Sequence, residues 1–388
     1  MNELQKGIIC LLKSAATGEP EMLPSAFSLE GAWDVLSKQG LRPLAYQGAL
    51  NCGVSSELPI MQKLLAFYYR HMIHSERQMR ALQCVLDSFE KNGIDHMPLK
   101  GCNLKSLYPK PELRAMGDAD ILIRVEQLPQ CAQVMEELGF QLKLESDHTD
   151  NWQSEDLYLE LHKSLVSPED EDYYAYYSIG WQIAKKGQGS RYDLTPEDTF
   201  VFLITHFAHH YRISGIGCRH VLDLYVFRSA YPELDEDYIR VELQKLNLLK
   251  FYENILHLLS VWFEDAPGNP VTELMTAYIF SGGNWGTMEM QLYAQELKKV
   301  RRKGDVKGSR GRSLVYVIFP PLRVIKNRYQ ILRRVPVLLP VMWVVRWFSV
   351  LLFSRDRMRK KWGILQGMND STVLDHQNAM AAVGLEYL

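Results

Sequence analysis

The sequence has few of the features that would assign a protein to a specialised class. Its six cysteines are scattered without a Cys-x-x-Cys pair, so neither a zinc ribbon nor a disulfide framework is indicated. Low-complexity tracts and convincing internal repeats are also missing. The N-terminal stretch MNELQKGIICLLKSAATG has an early glutamate and only a short apolar run, which favours a first helix over a signal peptide. We therefore expect a protein of the reducing cytoplasm.

What is present is an ordinary globular composition with an uneven distribution of charge. The chain has 388 residues, of which 47% are hydrophobic and 23% charged, and this length allows two or three domains with real cores. Its net charge is only −2, yet residues 301 to 361 contain 17 Lys and Arg against two acids, a local charge of +15. The remainder of the chain must therefore carry −17, so one basic segment is set against an acidic remainder.

The spacing of apolar residues divides the chain into four predicted parts. Residues 1–92 show helical spacing, and residues 93–190 change to the alternation of strands and helices that is typical of a small α/β core. In that core we expect strands in IDHMPLKG, GDADILIRV, FQLKLE and DLYLELHK, helices in CNLKSLY and LPQCAQVMEELGF, and a polar loop in SDHTDNWQSE. Residues 191–304 predict a helical domain, and 305–388 a basic, aromatic-rich segment with a terminal helix. The expected class is α+β: a small mixed sheet with flanking helices, embedded between N-terminal and C-terminal helical regions.

Two aspartates, Asp118 and Asp120, flank one alanine in a stretch that is otherwise typical of a buried strand. Because side chains alternate along a strand, the two carboxylates share one face, while Ala119, Ile121 and Ile123 share the other. Carboxylates about 7 Å apart or less either repel each other into raised pKa values or bind a hard cation. A pair of magnesium ions suits this spacing and is a common device for phosphoryl-group transfer.

A third carboxylate is available in DLYLELHK. If this stretch is a strand, Glu160 shares its polar face with Tyr158 and His162, opposite a face of leucines. The alternative is that Glu160 is simply exposed to solvent on a half-wet sheet. Its combination with the two aspartates favours a shared site.

The turn between the first strand and the following helix offers a place for phosphate. Gly101 permits close approach of the backbone, amide groups at the start of a helix bind anions, and Lys100 adds a positive charge. A glycine at such a junction occurs in many folds, so this signal gains weight only from the aspartates on the next strand.

These residues resemble the DNA polymerase β-like nucleotidyltransferase superfamily. More narrowly, PLKG…LY…R…DxDILI followed by L…LGF and LELH is similar to an uncharacterised nucleotidyltransferase family of bacterial proteins, most strongly over residues 94–165. The resemblance implies a catalytic and metal-binding set of Asp118, Asp120 and Glu160. It also implies a nucleotide-binding set of Lys100, Gly101, Cys102 and Arg114. Cys102 stands where the superfamily usually has Ser or Gly, and the spacing from Gly101 to Asp118 is longer than usual.

The activity that the resemblance implies is Mg²⁺-dependent transfer of an NMP from an NTP such as ATP to an unidentified acceptor, with Mn²⁺ as an alternative metal. One metal, held by Asp118, Asp120 and Glu160, would activate the nucleophile, and a second, held by the two aspartates, would steer the triphosphate. Glu160 is the candidate proton acceptor. The rival hypothesis is a catalytically silent binding or regulatory protein of the same fold, and a kinase is a lesser variant. Arg114 either neutralises phosphate or is a surface residue.

A histidine-rich stretch, ITHFAHH, follows in a predicted helix. His206 and His210 are spaced i, i+4, which can bind metal, but a packing role is favoured because the glutamate of a zinc protease motif is missing. In the alternative, the helical domain closes over the nucleotide, and the cleft is lined by residues that include His162, His206, His209, His210, Arg219 and Asp223.

The stretch VPVLLPVMWVVRWFSVLLF, residues 335–353, is the most hydrophobic of the chain. Pro340 and the central Arg346 argue against a membrane span, since a central arginine costs about 2.5–3.5 kcal/mol on insertion scales. A core helix, an interfacial anchor on anionic lipid and a site for an acidic partner are the alternatives. We favour a packed helix whose basic flanks contact the inner membrane surface or pair with the acidic remainder. Nucleic acid is disfavoured, because no recognisable binding module accompanies the charge.

Overall fold

The computed structural model describes residues 1–303, 318–326, 329, 331–353 and 355–386. A five-stranded mixed sheet and many helices make up an α+β fold, which confirms the predicted class. The chain separates into two compact units, the first comprising residues 1–209 and 216–285, the second comprising 210–215 and 286–388.

The first unit begins with four helices: α1 (Glu3–Thr17), α2 (Leu29–Lys38), α3 (Arg42–Asn51) and α4 (Pro59–Lys91). Asn2 and Gln5 form a capping box at the start of α1. A Cβ atom on Gly48 of α3 would lie 2.0 Å from the carbonyl oxygen of Leu11 in α1, so only glycine allows the two helices to approach this closely.

The sheet follows α4, and its strands lie in the order β1-β2-β5-β4-β3. Its elements are β1 (His96–Pro98), β2 (Ala119–Ile123), β3 (Gln141–Glu145), β4 (Thr149–Gln153) and β5 (Tyr158–His162), with the short helix α5 (Gly101–Leu104) after β1 and α6 (Leu128–Glu137) after β2. Strands β2 and β5 run parallel, and the other neighbours are antiparallel. This parallel pair brings together residues that are about forty positions apart.

One element of the sheet was predicted wrongly. The stretch assigned to a polar loop contains β4, which pairs with β5 along its whole length and with β3 on its other side. Asp and Asn are uncommon in strands, so the composition of this stretch indicated a loop. Pairing on both sides and the burial of Trp152 and Asn151 override that preference.

One face of the sheet is apolar and lies in the main core of the first unit. The residues of β2 and β5 that were expected on this face are all buried: Ala119, Ile121, Ile123, Leu159 and Leu161. They pack with buried residues of α4 and α6. Burying a side chain of the size of leucine or isoleucine is worth about 1.5–3 kcal/mol, so this face fixes which way both strands turn their polar side chains.

Helices make up the rest of the first unit, together with a short hairpin of β6 (Lys185–Lys186) and β7 (Tyr192–Asp193). They are α7 (Glu171–Tyr177), α8 (Pro196–Ile213), α9 (Cys218–Ala230), α10 (Glu236–Lys245), α11 (Leu249–Phe263) and α12 (Pro270–Ser281). The last residues of α8 belong to the second unit. Thr195 caps α8, since its hydroxyl accepts the amide hydrogen of Asp198 at 3.1 Å.

The second unit contains the basic segment, part of which lies outside the described residues. Its described helices are Met288–Lys303, Leu322–Ile325, Ile331–Arg334, Leu339–Phe353, Arg355–Gly367 and Asp370–Ala382. No helix in the part of the chain that the structure describes is long and apolar enough to cross a membrane. The stretch KGDVKGSRGRS, residues 303–313, which is rich in Gly, Lys and Arg, lies outside the described residues except for Lys303.

The helix Leu339–Phe353 carries aromatic and apolar groups on two sides. The indoles of Trp343 and Trp347 are half-buried and donate to the carbonyl oxygens of Pro320 and Ile318, each at 2.8 Å. A different side of this helix is exposed and apolar, at the spacing i, i+3, i+4 and i+7: Val341, Val344, Val345 and Phe348. Contact of this segment with a membrane stays a prediction.

Candidate active site

The polar face of β2 and β5 gathers two carboxylates and an imidazole. The parallel register sets Asp120 directly beside Glu160, with His162 two residues further along β5. One ligand atom from each of these three side chains lies within 4.8 Å of the other two. The Nε2 atom of His162 is 2.7 Å from Oδ1 of Asp120 and 3.6 Å from Oε2 of Glu160. Asp120 and His162 are buried, and Glu160 is half-buried.

Asp118 lies just before β2 and belongs to the same electrostatic cluster. Burial raises the pKa of its carboxyl group, and the negative charge of Asp120 raises it further, against the opposing charge of Lys100. Among the described residues, the group within ligand distance is completed by His162 and does not include Asp118. Metal binding by Asp118, which the resemblance implied, therefore stays a prediction.

Lys100 approaches the cluster from the turn after β1, in an unusual backbone conformation. Its φ is 41° and its ψ −109°, a combination that non-glycine residues rarely adopt. Its Nζ atom lies 3.4 Å from Oδ1 of Asp120. Burial alone would raise the pKa of Asp120, but Lys100 and the hydrogen bond with His162 outweigh it and hold that pKa well below its usual range. Strained backbone of this kind is concentrated at functional sites.

The predicted phosphate turn is short and tightly packed. Helix α5 has only four residues, and the amides of Cys102 and Asn103 donate to the carbonyl oxygens of Leu99 and Lys100 at 3.1 Å. These two amides are therefore engaged within the turn, so a phosphate role here would depend on Lys100 and Gly101. The thiol of Cys102 donates to the carbonyl oxygen of Asp120 at 3.6 Å, and burial raises its pKa to about 12.

Arg114 is buried beneath this turn, so the alternative of a surface arginine is wrong. Its Nε and Nη2 atoms each donate to Asp223 at 2.9 Å, and Asp223 also accepts a hydrogen bond from Tyr108 at 2.7 Å. A Cβ atom on Gly101 would lie 2.8 Å from Nη1 of Arg114. This arrangement explains why glycine is needed at that position, and it ties the turn to α9. Arg219 of α9 donates to the carbonyl oxygen of Ala115 nearby.

Asn151 is a site residue that the sequence reasoning missed. Its Nδ2 atom donates to Oε1 of Glu160 at 2.8 Å, and the Cα atoms of the two residues are partners in the β4–β5 pairing. Burial raises the pKa of Glu160, and the charges of Asp118 and Asp120 add to the rise while His162 opposes it. The alternation of Asn151 with the apolar Trp152 was the available signal, but it was hidden in the predicted loop.

The other histidines lie at different distances from the cluster. The ring of His148 is 5.0 Å from that of His162, and burial, with the charges of His162 and Lys100, lowers the pKa of His148 to about 3. His206 contacts Phe202, whose ring lies 6.0 Å from Nζ of Lys100. His209 forms a hydrogen bond with Asp170, and His210 belongs to the second unit. In the described part of the chain, neither His206 nor His210 belongs to a group of three or more side chains that could hold a metal ion.

The donor set of the cluster fits a divalent metal. Carboxylate oxygen and imidazole nitrogen are common protein ligands. Two carboxylates side by side, one buried and one half-buried, need a compensating positive charge. Asp120, Glu160 and His162 could hold the ion, with Asp118 and Lys100 next to them. Such a face can bind a phosphate-bearing ligand through the metal and Lys100.

Comparison with known proteins identifies the family. Searches of curated proteins and of solved structures found no match. The family model described as "Uncharacterised nucleotidyltransferase" matches residues 25–264, which is more than half of the 388 residues and includes every strand of the sheet. The chain therefore belongs to this uncharacterised nucleotidyltransferase family.

Proposed function

We propose that the protein is a metal-dependent nucleotidyltransferase that moves an NMP from an NTP to an acceptor, with ATP as the expected nucleotide and Mg²⁺ or Mn²⁺ as the metal. The observation that carries this proposal is the meeting of Asp120, Glu160 and His162 on the polar face of the sheet, with Asp118 and Lys100 beside them. Family membership supplies the class of reaction.

Each residue of the site would have its own role in such a transfer. A divalent metal held by the acids would neutralise charge on the triphosphate and favour ionisation of the acceptor. The acceptor oxygen attacks the α-phosphorus, a new P–O bond forms, the bond to the β-phosphate oxygen breaks, and pyrophosphate leaves. Glu160 takes the proton of the acceptor, and its raised pKa suits this role. Lys100 would turn its ammonium group to the phosphates, and Asn151 holds Glu160 in place.

The test is a transfer assay with each of the four NTPs labelled at the α-phosphate, with Mg²⁺ or Mn²⁺ and a cell extract as the source of acceptor. We expect label to appear in an acceptor with the wild type and to be lost with Asp120→Asn. The matched control is Asp95→Asn, because Asp95 is also ion-paired, accepting from Arg124 at 2.6 Å, but lies outside the cluster. Wild-type turnover by Asp120→Asn would contradict the proposal.

A second candidate is a silent binding or regulatory protein of the same fold. It is favoured by the contacts of Lys100 and His162 with one oxygen of Asp120, because these contacts compensate the charge of that carboxylate without a metal. It is also favoured by the presence of Cys102 in the predicted phosphate turn. Calorimetric titration with NTP, read together with the transfer assay, separates the two functions. The silent protein would bind NTP and would transfer no label to any acceptor. Sugar, antibiotic, peptide and protein side chain are the acceptor classes to be screened.

A further inference from the structure

The cluster places an imidazole, which can be a nitrogen ligand, beside its two carboxylates. His162 is 4% exposed, and its Nε2 atom points between Asp120 and Glu160, at 2.7 Å and 3.6 Å from their oxygens. Ligands in neighbouring positions of an octahedral shell, with bonds of about 2.1 Å, stand about 3.0 Å apart. The two measured separations bracket that value, so small shifts of the side chains would seat one ion between the three atoms.

All the polar contacts of the ring are made by Nε2. The Nδ1 atom of His162 is buried and has no hydrogen-bond partner among the described residues, whereas Nε2 lies beside an oxygen of Asp120 and an oxygen of Glu160. A neutral imidazole binds a metal through the lone pair of one ring nitrogen. The nitrogen that faces the two carboxylates is therefore the one placed to share a cation with them.

We propose that His162 is a direct metal ligand through Nε2, and that the site therefore prefers Mn²⁺ to Mg²⁺. Mg²⁺ selects oxygen ligands in protein sites, whereas first-row transition ions accept imidazole, and Mn²⁺ accepts carboxylates as well. This inference rests on the proposed function for the existence of the metal site, but it concerns the identity of a ligand and the selectivity that follows. His162 acts here in a place where the resemblance implied only acids.

The experiment uses the full-length protein and the metal alone. MnCl₂ is added, and pulsed electron paramagnetic resonance measures coupling between Mn²⁺ and ¹⁴N of imidazole. We expect this coupling in the wild type, its loss in His162→Gln, and its retention in His148→Gln, the control at the neighbouring ring. In His162→Gln the Kd for Mn²⁺ should rise at least about tenfold, the lower end of what even outer-shell partners contribute. The Kd for Mg²⁺ should change by less than about threefold, because the oxygen ligands remain.

Three results would overturn the inference, and the first two are distinguishable from failure of the proposed function. Mn²⁺ bound to the wild type without nitrogen coupling would make His162 a positioning residue, and NTP transfer with Mg²⁺ could still proceed. An unchanged ratio of the two Kd values in a folded His162→Gln protein would exclude the selectivity. Absence of binding of either ion would overturn the inference together with the metal site. Far-UV circular dichroism of each variant confirms that it is folded, and the wild-type spectrum decides the ligand question even if a variant does not fold.

Discussion

Replacing Asp223 by asparagine tests the buried ion pair beneath the predicted phosphate turn. The side chains of Arg114 and Asp223 are 7% and 5% exposed, so the change leaves a guanidinium group in the interior without its carboxylate. Removing one partner of a buried pair costs about 3–5 kcal/mol. Asparagine keeps one oxygen that can accept from Arg114 or Tyr108, so we expect a loss near the lower end, about 3 kcal/mol in the free energy of unfolding.

Urea denaturation followed by tryptophan fluorescence measures this loss. The matched control is Glu253→Gln, which makes the same chemical change in an exposed pair, since Glu253 and Arg240 lie 2.8 Å apart with 53% and 41% of their side chains exposed. We expect the control to change stability by less than about 1 kcal/mol. The double variant Arg114→Met with Asp223→Leu should recover most of the loss, because no unpaired charge remains. If Asp223→Asn were no more damaging than Glu253→Gln, the burial of this pair would be refuted.

Three further predictions concern the site, the buried charges and the C-terminal segment. Asn151→Ala removes a hydrogen bond to Glu160 worth about 1.5–3 kcal/mol, so kcat of NTP transfer should fall at least about tenfold while the Kd for NTP stays nearly constant. Burial lowers the pKa of Lys105 from 10.5 to about 8, so the unfolded chain binds this proton more tightly than the folded protein does. The melting temperature should therefore rise between pH 8 and 10, and Lys105→Met should lack that rise. An equal rise in both proteins would contradict the lowered pKa of Lys105. If the exposed apolar side of Leu339–Phe353 contacts lipid, the protein should sediment with anionic vesicles at low salt. A smaller fraction of the Phe348→Asp variant should sediment. Wild-type protein that stays in solution would indicate a purely structural segment.

The sequence was informative where one short-range rule decides the structure. Alternation along a strand was enough to place Asp120 and Glu160 opposite the buried leucines and isoleucines, because the period of a strand leaves only two faces. The same rule would have identified β4, but polar residues on both of its faces hid the alternation. His162 was recognised as a neighbour of Glu160, yet its approach to Asp120 depends on strand pairing across 42 positions, which spacing along one strand does not reveal.

Contacts between distant segments were beyond the reach of sequence patterns. Arg114 and Asp223 are 109 positions apart, and nothing in the local sequence of either one indicates the other. The backbone of Lys100 is a second case, since lysine predicts an ordinary conformation and only the packing of the turn produces its positive φ. Both features are set by tertiary structure, and both determine the conformation and packing of the predicted phosphate turn.

The conformation of Lys100 also bears on how this protein would respond to selection for heat resistance. Glycine adopts a φ of 41° readily, and relief of strain of this type is worth about 1–3 kcal/mol, so Lys100→Gly removes a standing penalty from the fold. The same replacement deletes the ammonium group beside Asp120. A laboratory evolution experiment that selected for thermal stability alone would therefore tend to replace the residue on which the proposed phosphate role of this turn depends. Stabilised variants of this protein should therefore be selected with Lys100 held fixed.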